Sequence, residues 1–148
     1  MAKTGDASLS QASLKPLVGY QLRRADIAMR QAFSRHIGEP FGLRPVEFAI
    51  LTLLADNERV THKQLSEALD VAPSNMVAVV AKLKKSGLLA RARNPDDGRS
   101  IVLALTREGR DLETRARSAV TAMEDQLLGA WDAGDREHLL AMLDRFRG

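Results

Sequence analysis

The residues best suited to chemistry in this chain are cations, and they are concentrated in one segment. Residues 61–100 contain seven basic and four acidic side chains, whereas the rest of the 148-residue chain has 15 of each sign. A balanced body with one basic segment is the charge distribution expected of a protein that lays one surface against a polyanion. The alternative is an ordinary solvated surface. The chemistry indicated is phosphate binding rather than bond making.

Groups for catalysis or metal binding form no recognisable set. The chain has no cysteine, and His36, His62 and His138 fall on different predicted helices. No glycine-rich phosphate loop and no metal-ligand spacing occurs. Asp96 and Asp97 could suggest a metal or catalytic pair. As neighbours on a predicted turn, however, their side chains point apart, and the nearby sequence offers no third ligand. We expect no enzyme activity, no metal and no cofactor.

Length and hydropathy predict one domain outside any membrane. The longest apolar stretch, residues 48–55, is less than half of the roughly 20 residues that a bilayer span requires. Residues 1–13 are small and polar and lack the apolar centre of a signal peptide, so we expect a cytoplasmic protein. Residues 1–12 are expected to form a flexible arm.

The basic segment follows two predicted N-terminal helices. Apolar spacings of three and four residues predict a long first helix over residues 13–36. Gly38, Pro40 and Gly42 then predict a break in helical structure. Pro45 suits the first turn of a second helix that ends near Asn57.

The basic segment itself predicts a helix-turn-helix. Thr61 and Gln64 have the capping-box spacing, which predicts a third helix over residues 61–69. After a three-residue connection, Pro73 begins a fourth helix, and Gly87 supplies its left-handed C-terminal cap. Two helices separated by so short a turn have the dimensions of a helix-turn-helix.

The remaining elements predict a wing and two more helices. Residues 88–93 and 100–105 are extended runs around a cluster of turn formers, which predicts a β-hairpin. Thr106 and Asp135 can cap a fifth and a sixth helix. The fold class is therefore mainly α with a small β-hairpin wing: a winged helix-turn-helix, residues 45–105, between a dimerisation helix with its connection, residues 13–44, and C-terminal dimerisation helices, residues 106–148.

The terminal helices predict a homodimer. The first, fifth and sixth helices carry apolar stripes longer than a small middle domain can cover. A twofold dimer would bury them and present two basic segments to two half-sites of double-stranded DNA. The alternative is a monomer with a modest helical subdomain.

The fourth helix has the pattern of a recognition helix. Met76, Val79, Val80 and Leu83 fall on one face and should pack inward. The opposite face is small and partly apolar, which allows close approach to the major groove and to thymine methyl groups. The alternative is that this face packs on another protein, in which case the chain is a winged-helix interaction module with only non-specific affinity for DNA.

The wing adds arginines to the surface. Arg99 lies at the turn, where it can enter a minor groove, and Asp97 beside it can hold the guanidinium through a charge-assisted bond. The residues predicted to contact DNA are Thr61, His62, Lys63, Pro73, Ser74, Asn75, Val77, Ala78, Lys82, Lys85, Arg91, Arg93, Asp97 and Arg99.

Three runs resemble the MarR (multiple antibiotic resistance regulator) family of bacterial repressors: KLKKSGLL at residues 82–89, NPDDGRS at 94–100 and LTREG at 105–109. The resemblance implies a homodimer with a recognition helix in each of two major grooves and wing arginines in the flanking minor grooves. It implies the recognition role for Ser74 and its neighbours, the wing-tip role for Arg99, and the role of its partner for Asp97. Many members have a polar or basic side chain where this chain has Val77, so direct base readout is expected to be weak.

The resemblance also implies a small-molecule effector. Members commonly lose DNA affinity when a small, often aromatic and anionic, molecule binds between the dimerisation helices and the winged domain. Tyr20, Arg24, His36 and Arg44 are candidates to bind its carboxylate, although for each residue taken singly an ordinary surface or core role is the favoured interpretation. Members that sense peroxide through cysteine are excluded, because this chain has none.

Overall fold

The structure, a computed structural model, describes residues 9–146. Its elements are α1 (Val18–Phe33), a π-helical turn (Ser34–Gly38), α2 (Glu39–Phe41), α3 (Pro45–Asp56), α4 (His62–Leu69), α5 (Pro73–Lys85), β1 (Leu89–Arg93), β2 (Ile101–Leu105), α6 (Arg107–Leu127) and α7 (Ala133–Asp144). The order confirms a mainly helical chain with a helix-turn-helix and a hairpin wing. Most of the predicted arm, residues 1–8, lies outside the described residues.

The N-terminal helix differs from its prediction at both ends. It begins at Val18 and not at residue 13, because residues 12–16 form turns and the ring of Pro16 disfavours a helical conformation at Lys15. The predicted break at Gly38 and Pro40 is wrong as well. Helical structure continues through the π-helical turn and α2 to Phe41. Pro40 does not interrupt it, because this residue lies in the first turn of α2, where its missing N–H is not needed. Gly42 ends the path with a φ of +67°.

The helix-turn-helix forms as its capping residues predict. The Thr61 hydroxyl accepts a hydrogen bond from the Gln64 N–H at 3.2 Å, and the Gln64 side chain accepts one from the Thr61 N–H at 2.9 Å. Pro73 is the first residue of α5. Gly87, with a φ of +75°, turns the chain from α5 into the wing.

The wing is an antiparallel hairpin in which Leu89 pairs with Leu105 and Arg93 with Ile101. A single β-bridge between Val60 and Leu103 adds the segment before α4 to this sheet, with the Leu103 N–H donating to the Val60 carbonyl at 2.7 Å. The base of the wing is therefore fixed to the helix-turn-helix on both sides.

One apolar core joins these elements. Its fully buried members come from the π-helical turn, α3, α4, α5 and β2: Ile37, Ile50, Leu51, Leu65, Met76 and Leu103. Ala116 and Met123 of α6 pack into the same core. The helix-turn-helix, the wing and the long C-terminal helix thus share one interior.

The first turn of α6 lies directly on the connection between α5 and the wing. The Thr106 hydroxyl, which caps α6, also donates to the Gly87 carbonyl at 2.6 Å. A Cβ at Gly109 would collide with the carbonyl oxygen of Leu88 and lie 3.3 Å from the Leu105 side chain. Glycine is therefore required for this close approach.

The C-terminal helix α7 leaves its apolar side uncovered. Its cap is Asp132 and not the predicted Asp135, which instead occupies the third helical position and completes a capping box. None of its residues is buried. Large exposed apolar side chains lie on or next to α1, the end of α6 and α7: Leu14, Leu17, Val18, Leu22, Ile27, Leu127, Trp131, Leu140, Met142 and Phe146.

Within residues 9–146 we find no helix of the length and apolar character needed to span a membrane.

Candidate nucleic-acid interface and ligand cavity

The recognition helix presents the outer face that its sequence predicts. Met76, Val80 and Leu83 are buried, and Val79 is half-buried. Val77 is 55% exposed, and the neighbouring Ala78 and the more distant Ala81 are exposed too. The face is small and apolar in its middle, so it can approach a groove floor closely without a long polar side chain.

The N-terminus of α5 is open. Its cap, Ala72, has no side-chain acceptor for the free N–H groups of the first turn, where Pro73, Ser74 and Asn75 are all exposed. Free amides and the positive end of the helix dipole make such a terminus suited to a phosphate. The polar side chains of Ser74 and Asn75 lie at the same end.

A basic cleft opens beside the recognition helix between α4, α5 and β1. Its cationic and titratable lining is His62, Lys84, Lys85 and Arg91, and its floor is formed by Val77, Val80 and Ala81. Partial burial and then the charge of Arg91 lower the pKa of His62, so this imidazole is neutral at pH 7. Lys84 is absent from the predicted contacts. Its spacing from Val77 could have identified it, because a residue seven positions later lies two helical turns along the same face.

The other predicted contacts of α4 lie near this cleft. Thr61 is half-buried, and its hydroxyl accepts the hydrogen bond that caps α4. Lys63 is exposed, with its Nζ 3.8 Å from a carboxylate oxygen of Glu67 one helical turn away.

The wing tip presents its arginines to solvent. Arg93 and Arg99 are exposed, and Gly98 takes a φ of +64° that the tight turn requires. The predicted bond from Asp97 to the Arg99 guanidinium is wrong. Asp97 Oδ1 accepts the backbone N–H groups of Arg99 and Ser100, each at 2.9 Å, because the turn folds its own amides around the carboxylate.

Lys82 has a partner within the protein. Its Nζ donates to Oε1 of Glu47 at 2.5 Å, although the predicted partner of this lysine is DNA. Glu47 is buried at the start of α3, and its other oxygen accepts the Arg44 N–H at 2.8 Å. The pair joins the recognition helix to the N-terminus of α3.

Two adjoining cavities share part of their lining. The larger, about 580 Å³, is formed by α1, α3 and α6, with Met29, Phe33, Phe48 and Met123 among its apolar walls. The second, about 420 Å³, reaches from the π-helical turn to Lys82. The residues shared by both cavities are Arg30, Phe33, Arg44 and Pro45.

The structure separates the four predicted effector residues. Among the described residues, Arg44 lines both cavities, whereas the other three line neither. The Tyr20 hydroxyl donates to Gln11, and the Arg24 guanidinium lies 6.0 Å from the centre of the Tyr20 ring. His36 is exposed on the π-helical turn.

Sequence reasoning misses Arg30, Phe33 and Lys82 at these cavities. For Arg30 and Phe33 the sequence does contain a signal: a cation lies one helical turn from a buried aromatic residue on α1. No group of three or more metal-binding side chains comes together in the described part of the chain.

Comparison with known proteins agrees with this geometry. Residues 41–100 match the model of the MarR family. The chain is 30% identical to the helix-turn-helix transcriptional repressor Rv2887 of Mycobacterium tuberculosis, over 86% of this chain and 91% of that protein. The transcriptional repressor CouR bound to a 23-mer DNA duplex superposes with a TM-score of 0.89 at 32% identity, covering 96% of this chain and 100% of that chain. CouR bound to p-coumaroyl-CoA superposes with a TM-score of 0.83 at 31% identity, covering 94% and 97%. The chain therefore belongs to the MarR family of transcriptional regulators.

Proposed function

We propose that this chain is a homodimeric transcriptional repressor that binds double-stranded operator DNA and is released by a small, aromatic, anionic effector. The observation that carries the proposal is the basic cleft, in which Lys84 and Lys85 of α5 and Arg91 of β1 line one hollow together with the small apolar side chains of the outer face of α5. Such a repressor acts where the DNA is, in the cytoplasm.

The exposed apolar faces support the dimer. No residue of α7 is buried within one chain, and Leu140 and Phe146 are 57% and 67% exposed. A helix whose large apolar side chains are all left in water is unfavourable unless a partner covers them. A second copy covers it by twofold symmetry and presents a second recognition helix for the other half-site.

The proposed DNA contacts fall into three groups. Phosphates are bound by the exposed donors at the start of α5 and by the cations of the cleft. These contacts position the protein on the duplex. Val77 and Ala78 approach base edges, so specificity rests on methyl contact and DNA shape. Arg93 and Arg99 of the wing reach the minor groove.

The adjoining cavities support an effector of stated chemistry. The walls of the larger cavity are mostly apolar and aromatic, and Arg30 and Arg44 line both cavities. Arg30 is paired with Asp26 at 2.8 Å, so Arg44 is the cation that we assign to an anionic group. An aromatic body with a carboxylate or phosphate satisfies both features. A relative is known with p-coumaroyl-CoA, which has this character.

The test uses the purified protein and the DNA upstream of its own coding region, with a random duplex of equal length as control. We expect binding at about 10⁻⁸ M or tighter to the former and a loss of at least 10³-fold on the latter. Benzoate, salicylate, p-coumarate and p-coumaroyl-CoA are then added separately. A member of this set should weaken operator binding in the wild type and do so less in Arg44→Ala.

A second candidate is the protein-interaction module, favoured by the exposed apolar middle of α5. The same titration separates the two functions. Equal and weak affinity for both duplexes would support the module and overturn the repressor.

A further inference from the structure

The ammonium group of Lys82 is used inside the protein, although the residue lies on the outward face of the recognition helix. Its side chain is 57% exposed, yet its Nζ is bonded to Glu47, whose side chain is only 3% exposed. The second oxygen of Glu47 accepts the backbone N–H of Arg44. A buried carboxylate is thus held by one amide and one cation.

This arrangement opposes a contact between Lys82 and DNA. If Lys82 moved to a phosphate, the carboxylate of Glu47 would stay buried and lose its cation. A buried unpaired carboxylate costs much more free energy than one exposed to water. A phosphate on the DNA surface is well hydrated and gains less from the same ammonium group. Lys84 and Lys85, in contrast, have no ion-pair partner among residues 9–146 and are free to bind phosphate.

The pair also lies where it can set the position of α5. The recognition helix packs chiefly against α4 and β1, and the Glu47–Lys82 bond is its polar link to α3. The two residues are 35 positions apart in the sequence, so the link is tertiary. Its Glu47 end is fixed in turn, because the same carboxylate caps the first turn of α3.

We propose that Lys82 is a positioning residue of the DNA-binding site, which holds the recognition helix against α3 through Glu47 and does not contact phosphate. The inference rests on the proposed function, since it concerns how the same surface reads an operator.

The test compares Lys82→Met with Lys85→Met, a matched control on the same helix. Affinities for the operator and for a random duplex are measured over a range of salt concentrations. For Lys82→Met we expect an approximately tenfold loss on the operator, an unchanged salt slope and an unchanged affinity for the random duplex. For Lys85→Met we expect a loss on both duplexes and a slope reduced by about 0.9.

Two further variants test the route through Glu47. Lys82→Arg should restore operator affinity, because a guanidinium can also bind the buried carboxylate. Glu47→Gln combined with Lys82→Met should lose no more operator affinity than Lys82→Met alone, since both changes break one link. The double variant also removes the unpaired buried charge, so it remains informative if Lys82→Met unfolds.

The outcomes separate this inference from the proposed function. Wild-type protein without preference for any duplex overturns the proposed function, and the inference falls with it. If the wild type prefers its operator, a salt slope reduced by about 0.9 in Lys82→Met identifies a phosphate contact and overturns the inference alone. Unchanged operator affinity in Lys82→Met, or a greater loss in the double variant than in Lys82→Met alone, overturns it as well.

Discussion

At the wing tip, the Asp97 carboxylate is bound by the turn in which it lies. It accepts the amides of Arg99 and Ser100, and its second oxygen accepts the Ser100 hydroxyl at 2.8 Å. These bonds, that of the Ser100 amide first, lower the pKa of Asp97 even though its side chain is exposed. Asp97 therefore shapes the loop that presents Arg99, instead of holding the guanidinium.

The turn should consequently loosen only at a pH below the ordinary aspartate pKa. Because the folded-state pKa of Asp97 is lowered, its contribution is fully present above the ordinary aspartate pKa and is lost as the pH falls through the lowered value. Amide chemical shifts of Arg99 and Ser100, followed by NMR, should titrate with a midpoint below that of a free aspartate. Asp97→Asn should abolish this titration, and a midpoint at or above the ordinary value would contradict the assignment.

Arg99→Ala should weaken operator binding by roughly 1–3 kcal/mol if the guanidinium occupies a minor groove. Narrow A-tract grooves have the most negative potential, so the loss should be larger on a duplex with A·T flanks than on one with G·C flanks. Fluorescence anisotropy with both duplexes measures the difference. Equal losses on the two duplexes would show an ordinary phosphate contact, and no loss would remove the wing role.

At the scale of elements, local signals predict the helix-turn-helix and wing well. Thr61 with Gln64, Pro73 and Gly87 act through bonds or backbone angles within a few residues, and each occupies its expected place. The sequence does not predict the π-helical turn, because the local preference of Gly38 is to end a helix. In the structure, packing of the buried Ile37 overrides that preference.

The candidate site is predictable where it is local and not where it is tertiary. The outer face of α5 follows from periodicity alone. The larger cavity forms only where α1, α3 and α6 converge, so the spacing of Arg30 and Phe33 on α1 places them on one side of the helix but does not show that this side lines a cavity. The same holds for Glu47 and Lys82, which folding brings together.

The capping box of α4 makes a stability prediction. Thr61→Ala removes the acceptor of the Gln64 N–H and should lower the free energy of unfolding by about 1 kcal/mol. Urea denaturation measures this change, and Thr61→Ser, which keeps the hydroxyl, should unfold within a few tenths of a kcal/mol of the wild type. Equal destabilisation by serine and alanine would instead implicate the methyl group of the half-buried threonine.

At the scale of the whole molecule, two exposed apolar surfaces have different expected partners. The one on the terminal helices, which includes Leu140, is expected to meet a second copy. The one on α5, with Val77, is expected to meet DNA. Both residues are more than half exposed in a single chain, so a charge at either position should leave the fold itself intact.

Leu140→Asp and Val77→Asp should therefore fail in different ways. Leu140→Asp should shift the protein from dimer to monomer in sedimentation velocity and lose operator binding with it, because a buried unpaired carboxylate is costly at an interface. Val77→Asp should remain a dimer and lose DNA binding by repulsion from the phosphates. A monomeric Val77→Asp or a fully dimeric Leu140→Asp would reverse the assignment of the two surfaces.

The close approach at Gly109 has a consequence for operator geometry. From that contact α6 continues to Leu127, about 27 Å farther along its axis. A tilt of about 5° at its base displaces the far end by about 2 Å. In the proposed dimer, the distance between the two DNA-reading units is thus set in part by the absence of a side chain at one position, where any other amino acid would push the start of α6 away from the connection between α5 and the wing.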